Sequence, residues 1–299
     1  MSRRHLVMLV ALAGIWGAAF MLIEIALRGL TPGAVALARI GSGTLVLAGI
    51  GLALGRARAL AVELRELWLP LAVAGLVGTA VPFFLISWGQ QSVDSGTSAI
   101  LNASAPIWAA VLAFAVVRSQ RVTGLRLVGL ALGFVGVAVL VGGGTRAGHG
   151  DLAGSLAVVG AAALYAVAAL YVGKRFAGRS ALLVALGTLA WATLFSLPLG
   201  LPGLVGGGVG WDAWAAALAL GVGATALAYL LYYALIEGAG ASRAILVTYL
   251  VPATAVLWGV ALLAEPLTAP KVVGLALVLG GVALGTGAVR PRRAASLRA

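Results

Sequence analysis

The chain has 299 residues, 62% of them hydrophobic and only 9% charged, with 43 glycines, no cysteine and a formal charge of +12. A soluble domain carries about 25% charged residues, so this composition cannot cover a water-facing surface and leaves no room for a soluble domain. The lack of cysteine excludes disulfides, thiol nucleophiles and cysteine-based metal sites. The positive charge belongs to membrane-flanking loops rather than to a nucleic-acid face.

Apolar runs of about 20 residues read as membrane-spanning helices, and only helices satisfy their own backbone groups in lipid. The first run, 6–27, follows MSRRH and looks like a signal peptide, but 22 apolar residues exceed a signal core, so it reads as an uncleaved first helix. The next nine are 33–54, 67–89, 95–117, 123–143, 152–173, 180–202, 213–236, 241–263 and 269–289. Breakers and charges separate them, from Thr31-Pro32-Gly33 and Arg56 to Glu66 through to Glu265-Pro266. The predicted fold class is an all-α membrane protein with ten transmembrane helices. With the N-terminus inside and the helices alternating, sixteen Lys and Arg fall on the inner side and three (Arg28, Arg146 and Lys271) on the outer, with Arg39 inside a helix. That bias predicts both termini in the cytoplasm and an even helix count. Trp68, Trp211 and Trp214 stand at segment starts, where interfacial anchors belong.

The stretch VGLAL occurs at Val128 to Leu132 and again at Val273 to Leu277. Extending the alignment backward with one residue of slippage pairs Pro106 with Pro252, Thr79 with Thr225, and Phe83 with Tyr229. Trp16-Gly17 falls opposite Tyr165-Ala166. The chain thus divides into repeats at 1–145 and 146–299, five helices each. Five is odd, so the second copy enters the membrane inverted, and the loop charges of matched positions differ as that requires. Inverted repeats are typical of secondary transporters, with the site between the halves near the midplane.

Ile15-Trp16-Gly17 with Phe20, Arg39, the Pro106 and Pro252 helices, and the ending LLAEPLTAPKVVGLALVLGGVAL (Leu262 to Leu284) together resemble the drug/metabolite transporter superfamily. Within it the chain is similar to the ten-helix EamA-type exporters, over essentially its whole length. The amino-acid exporting members, including those for aromatic amino acids and methyl viologen, are closest in character. One departure from that pattern is Gln120, which stands opposite Glu265 where an acidic residue is expected.

Arg39 lies inside the second segment, where a charge costs about 2.5–3.5 kcal/mol on insertion scales. Glu24 has nearly the same depth in an antiparallel hairpin, so an ion pair between them is expected. Trp16, Phe20, Phe83, Tyr165, Tyr229, Tyr233 and Tyr249 offer an aromatic lining suited to apolar side chains and cations. Ser87 and Asn102 add polar groups that face a cavity or a neighbouring helix. Pro106 and Pro252 are the expected gating pair, since each removes a helical hydrogen bond. The Gly129-Gly133 and Gly281-Gly285 spacings permit close helix packing and leave a homodimer open.

No H-E-x-x-H, P-loop or G-x-S-x-G occurs, and the two histidines, His5 and His149, fall outside the predicted helices, so an enzyme is not expected. No cofactor and no nucleic-acid partner is expected; the partners are the lipid bilayer and a small-molecule substrate. The reading is an inner-membrane secondary transporter exporting amino acids or related small metabolites by alternating access. The alternatives are a broad cationic-drug exporter and a non-transporting structural or lipid-interacting membrane protein.

Overall fold

The computed structural model describes residues 2–116, 124–146, 151–204, 208–244 and 246–285. Every element among them is helical. The helices are α1 (Arg3–Leu27), α2 (Pro32–Ala53), α3 (Trp68–Gly89), α4 (Ser95–Asn102 continued by Ala105–Val116) and α5 (Leu125–Arg146). The second five are α6 (Leu152–Arg175), α7 (Ala181–Leu204), α8 (Trp211–Ala239), α9 (Val247–Leu263) and α10 (Ala269–Gly285). The ten apolar segments are therefore present as ten helices. Gln120 and His149, and loop cations such as Arg118 and Arg121, lie outside the described residues.

One helix departs from the expected pattern. Ala57–Glu66, expected as a loop, is a short amphipathic helix that buries Leu60, exposes Arg58, Arg65 and Glu66 and leaves Glu63 half-buried. Its Glu63 pairs with Arg179 at 3.5 Å. Because Arg179 is exposed and Glu63 only half-buried, that pair contributes little.

The packing runs mainly between the first five helices and the second five. Helix α1 packs on α8 and α9, while α6 packs on α3 and α4. Helix α2 packs on α8 as α3 packs on α7. The pairs α2 with α7, α4 with α9, and α5 with α10 join equivalent helices. Each of these contacts joins one half to the other, and shifting every helix by five places returns the same set. The two sets of five helices therefore pack with the same pattern. The repeat even carries its irregularities: a π-turn at Leu76–Ala80 in α3 is matched by one at Val222–Leu227 in α8. Thr79 and Thr225, paired in the sequence alignment, each fall within one of these turns.

Small residues set the closest crossings, as expected where lipid supplies no hydrophobic drive between helices. A Cβ on Gly281 would lie 2.6 Å from the Gly133 Cα and 2.7 Å from the Gly129 carbonyl oxygen. Backbone cannot yield there. Gly281→Val should therefore destabilise the α5–α10 pair by about 3 kcal/mol, the upper end for overpacking, read as a lower melting temperature in detergent. Gly280→Val, at a position with no atoms within 4 Å, is the control.

Candidate functional site

Four helices converge on Arg39. Its Nε donates to Thr225 Oγ1 of α8 at 3.1 Å, and its guanidinium carbon lies 3.9 Å from the centre of the Phe83 ring of α3. Phe83 meets Tyr165 of α6 edge-on at 6.5 Å. Tyr229 lies one turn beyond Thr225 and packs in the same cluster as Phe83 and Tyr165. Tyr233 follows, 6.4 Å from Tyr229.

The π-turn in α8 makes this arrangement possible. It widens the helix, so Thr225 Oγ1 bonds back to the Leu220 carbonyl at 2.9 Å while still accepting from Arg39. It also leaves the Ala224 carbonyl to accept from Trp16 Nε1 at 3.2 Å. The Trp16 ring rests 5.3 Å from Tyr232. Such turns are frequent at functional sites. Trp16 and Tyr165, matched in the repeat alignment, thus each contact the π-turn helix of the opposite half.

The expected Glu24–Arg39 ion pair does not form. Helices α1 and α2 scarcely touch, because α1 is drawn to α8 and α9 and α2 to α7. Among the described residues no carboxylate forms an ion pair with Arg39. The cation is held by a ring face, worth about 2 kcal/mol when desolvated, and by one hydroxyl.

Other candidates stand elsewhere. Phe20 is buried in the core beside Ile23 and Ala99, and its carbonyl accepts from Gln90 Nε2 at 2.9 Å. Ser87 is buried one turn beyond Phe83. Tyr249 packs against Ile107, Val256 and Val278, in a separate cluster from the Arg39 group. Asn102 ends the first half of α4, and its Oδ1 is buried without a hydrogen-bond partner. The proline pair is unequal. Pro106 is the second residue after the α4 break, where a missing N–H is harmless, whereas Pro252 lies within continuous α9.

A second polar centre was not anticipated. Lys271, read from sequence as a loop cation, sits in the first turn of α10 and is only 2% exposed. It pairs with Asp94 at 2.8 Å and with Glu265 at 3.1 Å. Asp94 caps α4, accepting from the Thr97 amide at 2.8 Å and its hydroxyl at 2.9 Å. Glu265, 7% exposed, accepts from the amides of Ser95 at 2.9 Å and Gly96 at 3.1 Å and from the Ser95 hydroxyl. A carboxylate at a helix N-terminus is favoured by the unpaired amides there. Ala264 in the left-handed region, φ 55°, turns the chain so that the Glu265 amide reaches back to the Gly259 carbonyl at 3.1 Å. Glu24 of α1 joins the group, accepting from the Ser95 amide at 3.2 Å.

Burial alone would raise the Asp94 carboxyl, but the hydrogen bond and charge of Lys271, with the Thr97 amide, hold it below the ordinary aspartate value. A carboxyl held low stabilises the fold above its unfolded value, and that contribution fades as pH falls through the folded one. Stability from this pair should therefore be constant from neutral pH down to about 3.9 and decline below. A melting-temperature series in Asp94→Asn against the parent chain checks it: the two curves should converge only in acid.

Beside this centre lies a cavity of about 740 Å³, lined by Glu24, Arg28, Gln90, Asp94, Asp151 and Pro266 among others. It lies at the end where α1, α3 and α9 finish and α6 begins.

The profile of the EamA-like transporter family matches residues 4–142 and again 152–286, once over each set of five helices. The chain belongs to the EamA-like transporter family. It is similar to an uncharacterized transporter of Archaeoglobus fulgidus, 28% identical over 275 residues that cover 89% of this chain and 93% of that one. It is also similar to a probable terminal-alkyne amino-acid exporter of Streptantibioticus cattleyicolor, 30% identical over 273 residues, 90% of this chain and 89% of that one. A solved crystal structure covers 95% of this chain and 98% of its own with a TM-score of 0.66; at 20% identity it speaks to the fold alone. This EamA-like chain is a multi-pass membrane transporter and not an enzyme.

Proposed function

We propose that this transporter exports amino acids or closely related small metabolites by alternating access between two units, residues 1–145 and 146–299. The observation that carries the reading is Arg39, a cation inside a span with an aromatic collar and no carboxylate partner among the described residues. A charge so placed marks a substrate path by default. A guanidinium binds a carboxylate with paired N–H donors, and Phe83, Tyr165 and Tyr229 suit an apolar or aromatic side chain beside it. The similarity to a protein named as a probable amino-acid exporter agrees with this chemistry.

The orientation follows from charge. Arg56, Arg58, Arg65, Lys174, Arg175, Arg179 and Arg243 flank the even-numbered connections, which the positive-inside rule assigns to the cytoplasm of a bacterial-type inner membrane. The 740 Å³ cavity then opens outward. The cationic-drug alternative is disfavoured by Arg39 itself, since a fixed positive charge in the path repels a cation.

The test is efflux from proteoliposomes loaded with individual labelled amino acids, with and without a pH gradient. Efflux of apolar or aromatic amino acids above protein-free vesicles supports the reading; efflux of none removes it. A rate that follows the gradient establishes proton coupling, and an unchanged rate establishes facilitated diffusion.

A further inference from the structure

We infer that the exposed face of the Ala57–Glu66 helix, together with the connection from α6 to α7, is a docking surface for anionic phospholipid headgroups. The inference needs only a chain that spans the membrane; it rests on neither the substrate nor the direction of transport.

Three observations carry it. The first is how the helix is held. Leu60 Cδ1 covers Gly51 of α2, and Leu64 Cδ2 covers Gly187 of α7. The helix therefore lies across the ends of one span from each half. Glu63 adds its pair with Arg179. These contacts occupy one side. Arg58 and Arg65 are seven residues apart, so they share a face at a separation of about 10 Å. Both are exposed, as is Arg56 just before the helix.

The second is charge. Phe176 packs against Leu64 and Leu67, which brings the exposed Lys174, Arg175 and Arg179 to the same place. Six cations then stand against two carboxylates, Glu63 and Glu66. Among the described residues Arg56, Arg58, Arg65, Lys174 and Arg175 form no ion pair. Membrane orientation needs cations only somewhere in these connections. Here they are gathered on one ordered helix and the loop that pairs with it.

The third is what borders the cations. Leu52, Leu54, Val62, Trp68 and Leu69 are each more than half exposed. Apolar and tryptophan side chains beside arginines match the boundary between acyl chains and headgroups. A soluble acidic partner would meet the charges but leave these side chains uncovered. A basic cluster at that depth attracts anionic lipid. Because the helix bridges α2 and α7, bound headgroups brace the two halves at this end.

The experiment is a thermal-stability titration of the purified full-length protein in detergent with phosphatidylglycerol, phosphatidylcholine or soluble glycerol phosphate. Phosphatidylglycerol is expected to raise the melting temperature at least about tenfold more potently than phosphatidylcholine. That preference should shrink as sodium chloride is added, and glycerol phosphate should have no effect. The combined change Arg56→Gln, Arg58→Gln and Arg65→Gln should melt like the parent in phosphatidylcholine and lose the preference. Lysine at the same three positions should keep it, since the charge remains. Arg3→Gln with Arg4→Gln, exposed at the start of α1, should keep it as well. Equal potency of the two lipids, an equal effect of glycerol phosphate, an unchanged preference in the glutamine variant, or the same loss in the Arg3 and Arg4 control would overturn the lipid surface. The labelled amino-acid efflux decides the export reading separately.

Discussion

Lys271→Met should destabilise the protein by about 3–5 kcal/mol, the cost of stripping the partner from a buried charge pair. The ammonium is 2% exposed and serves two carboxylates, at 2.8 Å and 3.1 Å. Removing it leaves Asp94 and Glu265 to repel each other at the start of α4. The loss reaches across the repeat boundary, because Asp94 belongs to the first five helices and Glu265 and Lys271 to the second. The measurement is the melting temperature of purified protein, with the monodisperse fraction after extraction as a second readout. The combined change Lys271→Met, Asp94→Asn and Glu265→Gln should recover a large part, since neutral amides no longer need the ammonium. Arg28→Met, on the exposed rim of the same cavity, should shift stability by less than about 0.5 kcal/mol. A Lys271→Met protein as stable as its parent would show that the ionic centre does not hold the halves together.

Arg39→Met should do the opposite: cut transport at sub-saturating substrate by about 10- to 100-fold while leaving the fold as stable or more so. A charge within a span costs about 2.5–3.5 kcal/mol on insertion scales, and methionine keeps the chain length against Phe83 without it. Among the described residues only Thr225 loses a hydrogen bond, and its hydroxyl still donates to the Leu220 carbonyl. Losing charge-assisted bonds to a substrate carboxylate should weaken binding by about 10- to 100-fold. Arg39→Lys keeps the charge but not the planar fork or the stack on the ring, so it should fall between. Melting temperature and initial transport rate, measured on the same preparations, separate the two effects. A stable protein with that loss of transport marks a substrate residue, whereas parallel loss of both marks a structural one.

These expectations differ in how far sequence alone could reach them. All ten helices were legible because each segment is apolar for long enough to span a bilayer, and breakers mark the ends. The repeat was legible because two copies of VGLAL and a pair of prolines survive at a near-constant offset. Arg39 stood out because any charge inside an apolar run does. Its partner did not, because depth along a hairpin says nothing of which face each helix turns, and consecutive helices here pack with the opposite half. The Ala57–Glu66 helix was missed because its period is carried by few apolar residues among charges. The ionic centre was missed for a different reason. Asp94, Glu265 and Lys271 sit at or beyond helix ends, where charged residues are usually solvated, and Asp94 and Lys271 meet only because α4 and α10 come together in the fold. The π-turns left no local signal beyond the repeated Thr79 and Thr225, whose meaning needed the coordinates.

The most direct test of the account is solute counterflow. Proteoliposomes are preloaded with unlabelled phenylalanine and diluted into a trace of labelled phenylalanine. A carrier that alternates around a carboxylate site accumulates label transiently above equilibrium, and the accumulation is blocked by excess outside phenylalanine and much reduced in Arg39→Met. No transient accumulation, or the same accumulation in Arg39→Met, would contradict it.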